Sequence, residues 1–177
     1  MTIHIRQEKT EDYSIVEEVI KSAFADMEIS DKTEHELVAR IRKSEAFIPE
    51  LSLVATNEEE NIIGHILFSK IHIVNDTHSE ESLALAPVSV LPDFQNIGVG
   101  KLLINEGLKI AKELGYKSVV VLGHPNYYPK FGFEKASSWG INPPFKVPDE
   151  VFMIMELREN ALEGVSGVVE YSSAFSG

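Results

Sequence analysis

The chain has 177 residues, of which 44% are hydrophobic and 25% are charged, and this size and composition fit one compact domain with a full core. It contains no cysteine, which excludes a disulfide framework, a thiolate metal site and a thiol nucleophile. The net charge of -12 argues against a nucleic-acid binder, because neutralising phosphates requires a basic face.

The first nine residues alternate apolar and charged side chains and lack the continuous apolar stretch of a signal peptide. No apolar run in the chain approaches membrane-spanning length, so we expect a cytoplasmic protein with no membrane partner. Ile3 and Ile5 predict a strand by their alternation with polar residues. Two amphipathic helices are predicted next, over Ile15–Ala23 and around Leu37–Ile41, with Ala25–Asp31 as a loop between them.

Later segments that are rich in β-branched and apolar residues predict further strands: Leu51–Thr56, Ile62–Ile73, Ser82–Val90, Ser118–Leu122 and Val151–Leu157. The polar residues Asn57–Asn61 predict a hairpin turn, and helical spacing over Gly98–Leu114 predicts a helix that ends at Gly115. The tail Val168–Phe175 predicts a last edge strand. We expect a single domain over 1–177, in which 158–177 is a C-terminal extension that packs on the sheet or extends it.

One segment, Val88–Lys101, combines a strand, a turn and the start of a helix. Such a junction points free backbone N–H groups and the helix dipole at one spot, and Gly98 and Gly100 leave room for an anion such as a pyrophosphate. The spacing differs from the dinucleotide fingerprint, which needs a third glycine, and from a P-loop, since no Ser or Thr follows Lys101. Glycines required only for tight packing are the alternative.

Gln95, Gly98 and Gly100 have the spacing of the acetyl-CoA motif of the GNAT superfamily of N-acetyltransferases, and the order of predicted elements is similar to that of the superfamily. Within it, the chain most resembles the bacterial YhbS-type N-acetyltransferases through Leu122–Pro125 and Tyr127–Phe133. The resemblance implies an α/β (α+β) fold. Its central sheet is mixed, mostly antiparallel and flanked by helices, with splayed strands at the acyl-CoA site.

The resemblance also implies acetyl-CoA as co-substrate, with Val88 and Val90 pairing to its pantetheine arm through backbone groups and Val119–Leu122 splaying away. The implied cofactor-binding residues are Val88, Ser89, Val90, Gln95, Asn96, Ile97, Gly98, Val99, Gly100, Lys101 and Asn126. Asn126 is equally a turn-forming residue.

Tyr128 stands four residues before Gly132, where GNAT enzymes commonly place a tyrosine near the sulfur of CoA. The resemblance therefore implies that its phenol is the general acid that protonates the departing thiolate. The alternative for Tyr128, and the interpretation we favour for Tyr127, is aromatic packing with the hydroxyl bonded to backbone.

The sequence does not show which residue would act as the general base. Glu34 and His124 are weak candidates for the acceptor site, because Glu34 starts a helix that resembles the YhbS-type helix beside that site and His124 follows a strand. A solvated helix face for Glu34 and a loop constraint for His124, beside Pro125, are the simpler interpretations. The six histidines show no metal-ligand spacing, so we expect no metal.

The expected activity is direct transfer of an acetyl group from acetyl-CoA to a small-molecule or peptide amine in a ternary complex. A non-catalytic acyl-CoA sensor or interaction module is the alternative, because no base is evident. The loops expected to line the acceptor site, Phe24–Glu36 and Ser137–Val147, leave the acceptor open. The late strands either pair across a two-fold axis in a homodimer, which we favour, or close the chain's own sheet edge.

Overall fold

The structure, a computed structural model, describes residues 2–28 and 30–176. Met1 and Gly177, the ends of the predicted domain, and Ile29, in the predicted loop Ala25–Asp31, lie outside the described residues. The described part contains three α-helices: α1 (Tyr13–Phe24), α2 (Glu34–Arg42) and α3 (Val99–Glu113). It contains nine strands: β1 (His4–Gln7), β2 (Ser52–Thr56), β3 (Ile62–Val74), β4 (Ser79–Val90), β5 (Ser118–Leu122), β6 (Glu134–Lys135), β7 (Ile141–Asn142), β8 (Phe152–Glu156) and β9 (Gly167–Glu170).

The strands form one open sheet in the order β1-β2-β3-β4-β5-β8-β6, and β9 pairs with the far half of β3 and with β7. The β4–β5 and β7–β9 pairs are parallel, and the other pairs are antiparallel. This mixed, mostly antiparallel sheet with flanking helices confirms the predicted fold class.

The helices cover opposite faces of the sheet, because successive residues of a strand point to opposite sides. Leu67 of β3 packs in a cluster with α1 and α2, whereas its neighbours Ile66 and Phe68 pack in a cluster with α3. Gly107 lets α3 approach β3 closely, since a Cβ there would lie 2.2 Å from Cε1 of Phe68. None of the described helices is long and apolar enough to cross a membrane.

A buried polar network attaches α2 to the sheet. The guanidinium of Arg42 lies 2.5 Å from a carboxylate oxygen of Glu8, whose other oxygen accepts a hydrogen bond from Ser52 at 2.8 Å. Nε2 of His65 lies 3.0 Å from the same Ser52 hydroxyl. Burial lowers the pKa of His65 to about 3, and the nearby charge of Arg42 adds to this effect. His65 is therefore neutral at pH 7.

The predicted strand Val168–Phe175 is wrong at its C-terminal end, because β9 ends at Glu170 and Ser173–Ser176 forms a 3-10 turn. Tyr171 and Phe175 instead turn toward each other, with ring centroids 4.9 Å apart. Nor is β9 an edge strand, since β3 and β7 cover its two sides. Strand β9 is therefore covered within the chain, whereas β6 forms one end of the sheet among the described strands.

Candidate functional site

The parallel strands β4 and β5 separate in the middle of the sheet. They pair at Leu83 with Val119 and at Ala84 with Val120, after which β5 continues alongside β8 while β4 diverges. The predicted splay over Val119–Leu122 is therefore wrong at its start, because the first two residues are still paired and divergence begins at Val121. The divergence opens a slot between the two strands.

One edge of β4 faces this slot without a partner strand. Its other edge pairs with β3, as in the pairs Ile66 with Val88 and Gly64 with Val90. Between Leu85 and Val88 the strand contains an extra residue relative to β3, and such a bulge bends a strand. Beyond Ala84, no described strand covers the slot edge, so its backbone groups are available to an extended ligand.

The turn after β4 directs the chain into α3. The side-chain amide of Gln95 donates a hydrogen bond of 3.0 Å to the carbonyl of Val90, which fixes the turn against the end of the strand. Gly98 precedes the helix with φ of 96°, a left-handed conformation that favours glycine. The N–H groups of the first helical turn have no side-chain cap, so they and the positive end of the helix dipole are available to an anion.

The unpaired edge of β4, the turn after it and the start of α3 all line one cavity of about 520 Å³, which we call the α3 cleft. Its lining residues are Ala23, Phe24, Met27, Val88, Val90, Phe94, Gln95, Asn96, Gly98, Val99, Gly100, Lys101 and Tyr127. Most of the predicted cofactor-binding residues therefore meet there. Ser89 and Ile97 do not, since Ser89 is buried in the sheet and the Ile97 side chain is 53% exposed.

Tyr128 lies just beyond the end of β5, at the start of a 3-10 turn over Tyr128–Phe131. Its ring packs edge-on against Phe133 and Tyr127 and directly over Gly123, where a Cβ would lie 2.3 Å from Cε2 of the ring. Burial raises the pKa of Tyr128 to about 12. Within the described residues its hydroxyl makes no hydrogen bond, unlike the backbone-bonded hydroxyl of the packing interpretation.

A second cavity, of about 990 Å³, adjoins the slot and reaches β9, and we call it the β9 cavity. Its lining residues are Asp31, Val74, Ala84–Ala86, Val120–Leu122, Pro144, Phe145, Val168–Glu170, Tyr171, Phe175 and Ser176. Strand β4 thus contributes to both cavities, with Val88 and Val90 in the α3 cleft and Leu85 and Ala86 in the β9 cavity.

The sequence matches a known family over most of its length. The family model described as "Acetyltransferase (GNAT) family" matches residues 16–133. The chain belongs to the GNAT family of acetyltransferases. It is 34% identical over 126 residues to the uncharacterized N-acetyltransferase YhbS of Escherichia coli (strain K12), covering 71% of this chain and 74% of YhbS. It is 37% identical over 150 residues to the uncharacterized N-acetyltransferase YjhQ of the same strain, covering 84% of this chain and 78% of YjhQ.

Solved GNAT structures have the same fold. The crystal structure of Escherichia coli YhbS in complex with CoA superposes with a TM-score of 0.88 at 29% identity, covering 99% of this chain and 92% of that one. A GNAT family acetyltransferase from Brucella melitensis, in complex with acetyl-CoA, gives a TM-score of 0.80 at 32% identity, with 98% of each chain covered. The predicted resemblance to YhbS-type GNAT proteins is confirmed.

Besides Ser89 and Ile97, four predicted residues of this GNAT domain line neither cavity: Glu34, His124, Asn126 and Tyr128. His124 and Asn126 belong to the turn after β5, where Nδ1 of His124 accepts a hydrogen bond of 3.1 Å from the N–H of Asn126. Both therefore shape the turn that carries Tyr128. Glu34 starts α2, accepts a hydrogen bond from Ser30 and lines a small surface pocket with Asp31 and Phe175, which also line the β9 cavity.

Sequence reasoning missed five lining residues of the α3 cleft: Ala23, Phe24, Met27, Phe94 and Tyr127. Phe24 lies in the predicted acceptor-lining loop Phe24–Glu36, yet in the structure it ends α1 beside the strand edge of β4. Tyr127 had been assigned to packing alone, but its hydroxyl would lie 3.8 Å from a Cβ at Gly100. Among residues 2–28 and 30–176, no group of three or more His, Asp or Glu residues is placed to hold a metal ion.

Proposed function

We propose that this GNAT protein transfers the acetyl group of acetyl-CoA to a primary amine in a ternary complex. The observation that carries the proposal is that the unpaired edge of β4 and the uncapped start of α3 open into one cleft. The pantetheine arm pairs with β4 around Val88 and Val90, as an added strand would. Its pyrophosphate binds the N–H groups of Val99, Gly100 and Lys101. The CoA and acetyl-CoA complexes of the two related proteins support this assignment.

Gln95 contributes by organising the cleft. Its amide is already engaged by the carbonyl of Val90, at 3.0 Å, so it holds the turn in place for the pyrophosphate. Exposed Lys101 adds a positive charge at the helix start, in a chain whose net charge is -12. Local cationic and dipolar groups therefore offset the unfavourable overall charge for an anionic co-substrate.

In the transfer step, the neutral amine nitrogen attacks the thioester carbon. The N–C bond forms, the C–S bond breaks, and the phenol of Tyr128 gives its proton to the leaving thiolate. The nitrogen releases one proton to solvent, from which the phenolate recovers its own. Burial raises the pKa of Tyr128 to about 12, so the phenol holds its proton at neutral pH until the developing thiolate accepts it.

The cofactor assignment is tested by calorimetry with acetyl-CoA and the Gly100→Val variant. A side chain at Gly100 projects toward Val90 and the hydroxyl of Tyr127 across the cleft, so affinity should fall more than about tenfold. Asn105→Val, an equally β-branched change at an exposed position of α3, is the matched control and should bind like the wild type. A wild-type protein that binds no acetyl-CoA would refute the proposal.

The catalytic assignment is tested separately with Tyr128→Phe. The variant should lose about 10²–10⁴-fold in kcat, the usual contribution of a positioned general acid, while its affinity for acetyl-CoA changes little. Equal kcat in the two proteins would remove the assigned role. Acetyl-CoA binding without turnover of any amine in a broad screen would instead favour the non-catalytic acyl-CoA sensor.

A further inference from the structure

The β9 cavity lies on the slot side of β4 but outside the α3 cleft, and nothing in the cofactor assignment uses it. Its volume of about 990 Å³ is at the upper end of the range for small-molecule sites, about 300–1,000 Å³. It reaches the slot at Leu85, Ala86 and Leu122, where the thioester lies if the proposed function is correct. An acceptor bound there would present its nitrogen to the thioester from the side opposite the pyrophosphate.

Three aromatic side chains form one wall of the β9 cavity. The ring of Phe145 stacks on Tyr171 at 6.1 Å with an interplanar angle of 25°, and Tyr171 contacts Phe175 at 4.9 Å. Val168 continues this wall and is 46% exposed, while Phe145 is 42% exposed. Apolar surface of this kind favours a ligand with an aromatic body, since offset and edge-on ring pairs add to the gain from burial.

The charged residues that line the cavity are both acidic, Asp31 and Glu170. Among the described lining residues there is no Lys, Arg or His, so a ligand carboxylate or phosphate would enter without a cationic partner. The remaining polar side chains, Tyr171 and Ser176, are too few to satisfy a polyhydroxylated amine. The acidic lining therefore favours a cationic amine and disfavours amino acids and nucleotides. The scarcity of polar side chains disfavours amino sugars.

We infer that the acceptor is a primary arylalkylamine that carries no carboxylate. Its ring packs against Phe145 and Tyr171, and its amino group reaches the slot beside Leu122. The inference rests on the proposed acetyl transfer and adds the class of acceptor to it.

The test is a comparison of matched amines with the full-length wild-type protein at saturating acetyl-CoA. The probes are 2-phenylethylamine and tryptamine, their amino-acid counterparts phenylalanine and tryptophan, the polyamine spermidine and the aminoglycoside kanamycin. CoA release gives kcat/KM, and mass spectrometry identifies the N-acetyl product. We expect each arylalkylamine to exceed its amino-acid counterpart and the two non-aromatic amines by at least about tenfold, a difference of about 1.4 kcal/mol.

A pair of variants connects this preference to the cavity wall. Phe145→Ser should raise KM for 2-phenylethylamine about tenfold and leave KM for acetyl-CoA unchanged. Because Phe145 is 42% exposed, the variant should fold, which thermal melting will check. Ile15→Ser removes an apolar side chain that is 52% exposed on α1, outside the cavity, and should change neither constant.

The outcomes separate the inference from the proposed function. Efficient acetylation of kanamycin, spermidine or phenylalanine with little use of arylalkylamines would overturn the acceptor class while the acetyltransferase assignment stands. An unchanged KM for 2-phenylethylamine in Phe145→Ser would also overturn the assigned cavity. Absence of acetyl-CoA binding would overturn both proposals, whereas binding without acetylation of any probe would overturn the acceptor class.

Discussion

The position of Tyr128 can be perturbed without changing the residue itself, through Gly123→Ala. The added Cβ would lie 2.3 Å from Cε2 and 2.9 Å from Cδ2 of the Tyr128 ring, whereas carbon atoms in contact are normally about 3.5–4.0 Å apart. The ring must therefore move by about 1 Å or more. Phe133 and Tyr127 pack edge-on against it at 5.8 Å and 5.1 Å, so it cannot move without also shifting a neighbour.

A displacement of this size predicts a large loss of catalysis with little loss of binding. Misplacing a reacting group by about 1 Å can cost about 10²-fold, so kcat of Gly123→Ala should fall about 100-fold. The acetyl-CoA Kd should change less than about threefold, a difference below about 1 kcal/mol, because the strand edge and the helix start are untouched.

The matched control is Gly107→Ala, which makes the same kind of clash elsewhere. Its Cβ would lie 2.2 Å from Cε1 of Phe68, in the core between α3 and β3. Both variants should lose about 1–3 kcal/mol of stability through overpacking, measured by urea unfolding. Steady-state kinetics at saturating acetyl-CoA should show the fall in kcat in Gly123→Ala alone. Wild-type kcat in Gly123→Ala, or an equal loss in both variants, would refute the role assigned to the ring position.

Two further predictions concern the network beneath α2 and the turn before α3. Burial lowers the pKa of His65 from 6.5, its value in an unfolded chain, to about 3 in the folded protein. As the pH falls below 6.5, the unfolded chain binds a proton at His65 and the folded protein does not, so the folded protein loses stability. Between pH 7 and 5.5, protonation of His65 in the unfolded chain should lower the free energy of unfolding by about 1 kcal/mol. The free energy of unfolding of His65→Gln, measured by urea titration, should therefore depend less steeply on pH. The same pH dependence in the variant and the wild type would contradict the burial of neutral His65. Gln95→Ala removes the hydrogen bond to the carbonyl of Val90, which contributes about 1 kcal/mol. The Kd for acetyl-CoA should therefore rise about fivefold, while kcat at saturating acetyl-CoA stays the same. An unchanged Kd would show that the turn does not need this hydrogen bond.

Local patterns were sufficient to predict the elements that form the α3 cleft. The apolar spacing that predicted helices at Ile15–Ala23 and Gly98–Leu114 is the spacing that buries α1 and α3, and both helices end within two residues of the prediction. Strand, turn and helix are consecutive in Val88–Lys101, so sequence proximity already implied spatial proximity. The glycine spacing was therefore sufficient to predict an anion-binding site without knowledge of any tertiary contact.

Features that depend on non-local pairing were missed or, like Phe145 in the expected acceptor-lining loop Ser137–Val147, predicted without the residues that they contact. Phe145, Tyr171 and Phe175 form the wall of the β9 cavity only because β9 pairs with the far half of β3, and no local pattern encodes that pairing. The start of the splay at Val121 is set by the register between β4 and β5, which are separated by a whole helix. Strands β6 and β7, with two residues each, are too short to carry a periodic signal.

Acetyl transfer at this site is tested most directly by the fate of acetyl-CoA mixed with the wild-type protein and 2-phenylethylamine. Mass spectrometry should find N-acetylated amine and free CoA in equal amounts, formed at a rate that falls about 10²–10⁴-fold in Tyr128→Phe. Acetyl-CoA that binds the α3 cleft but stays intact with this amine and with every other amine tested would contradict the assignment of acetyl transfer to this site.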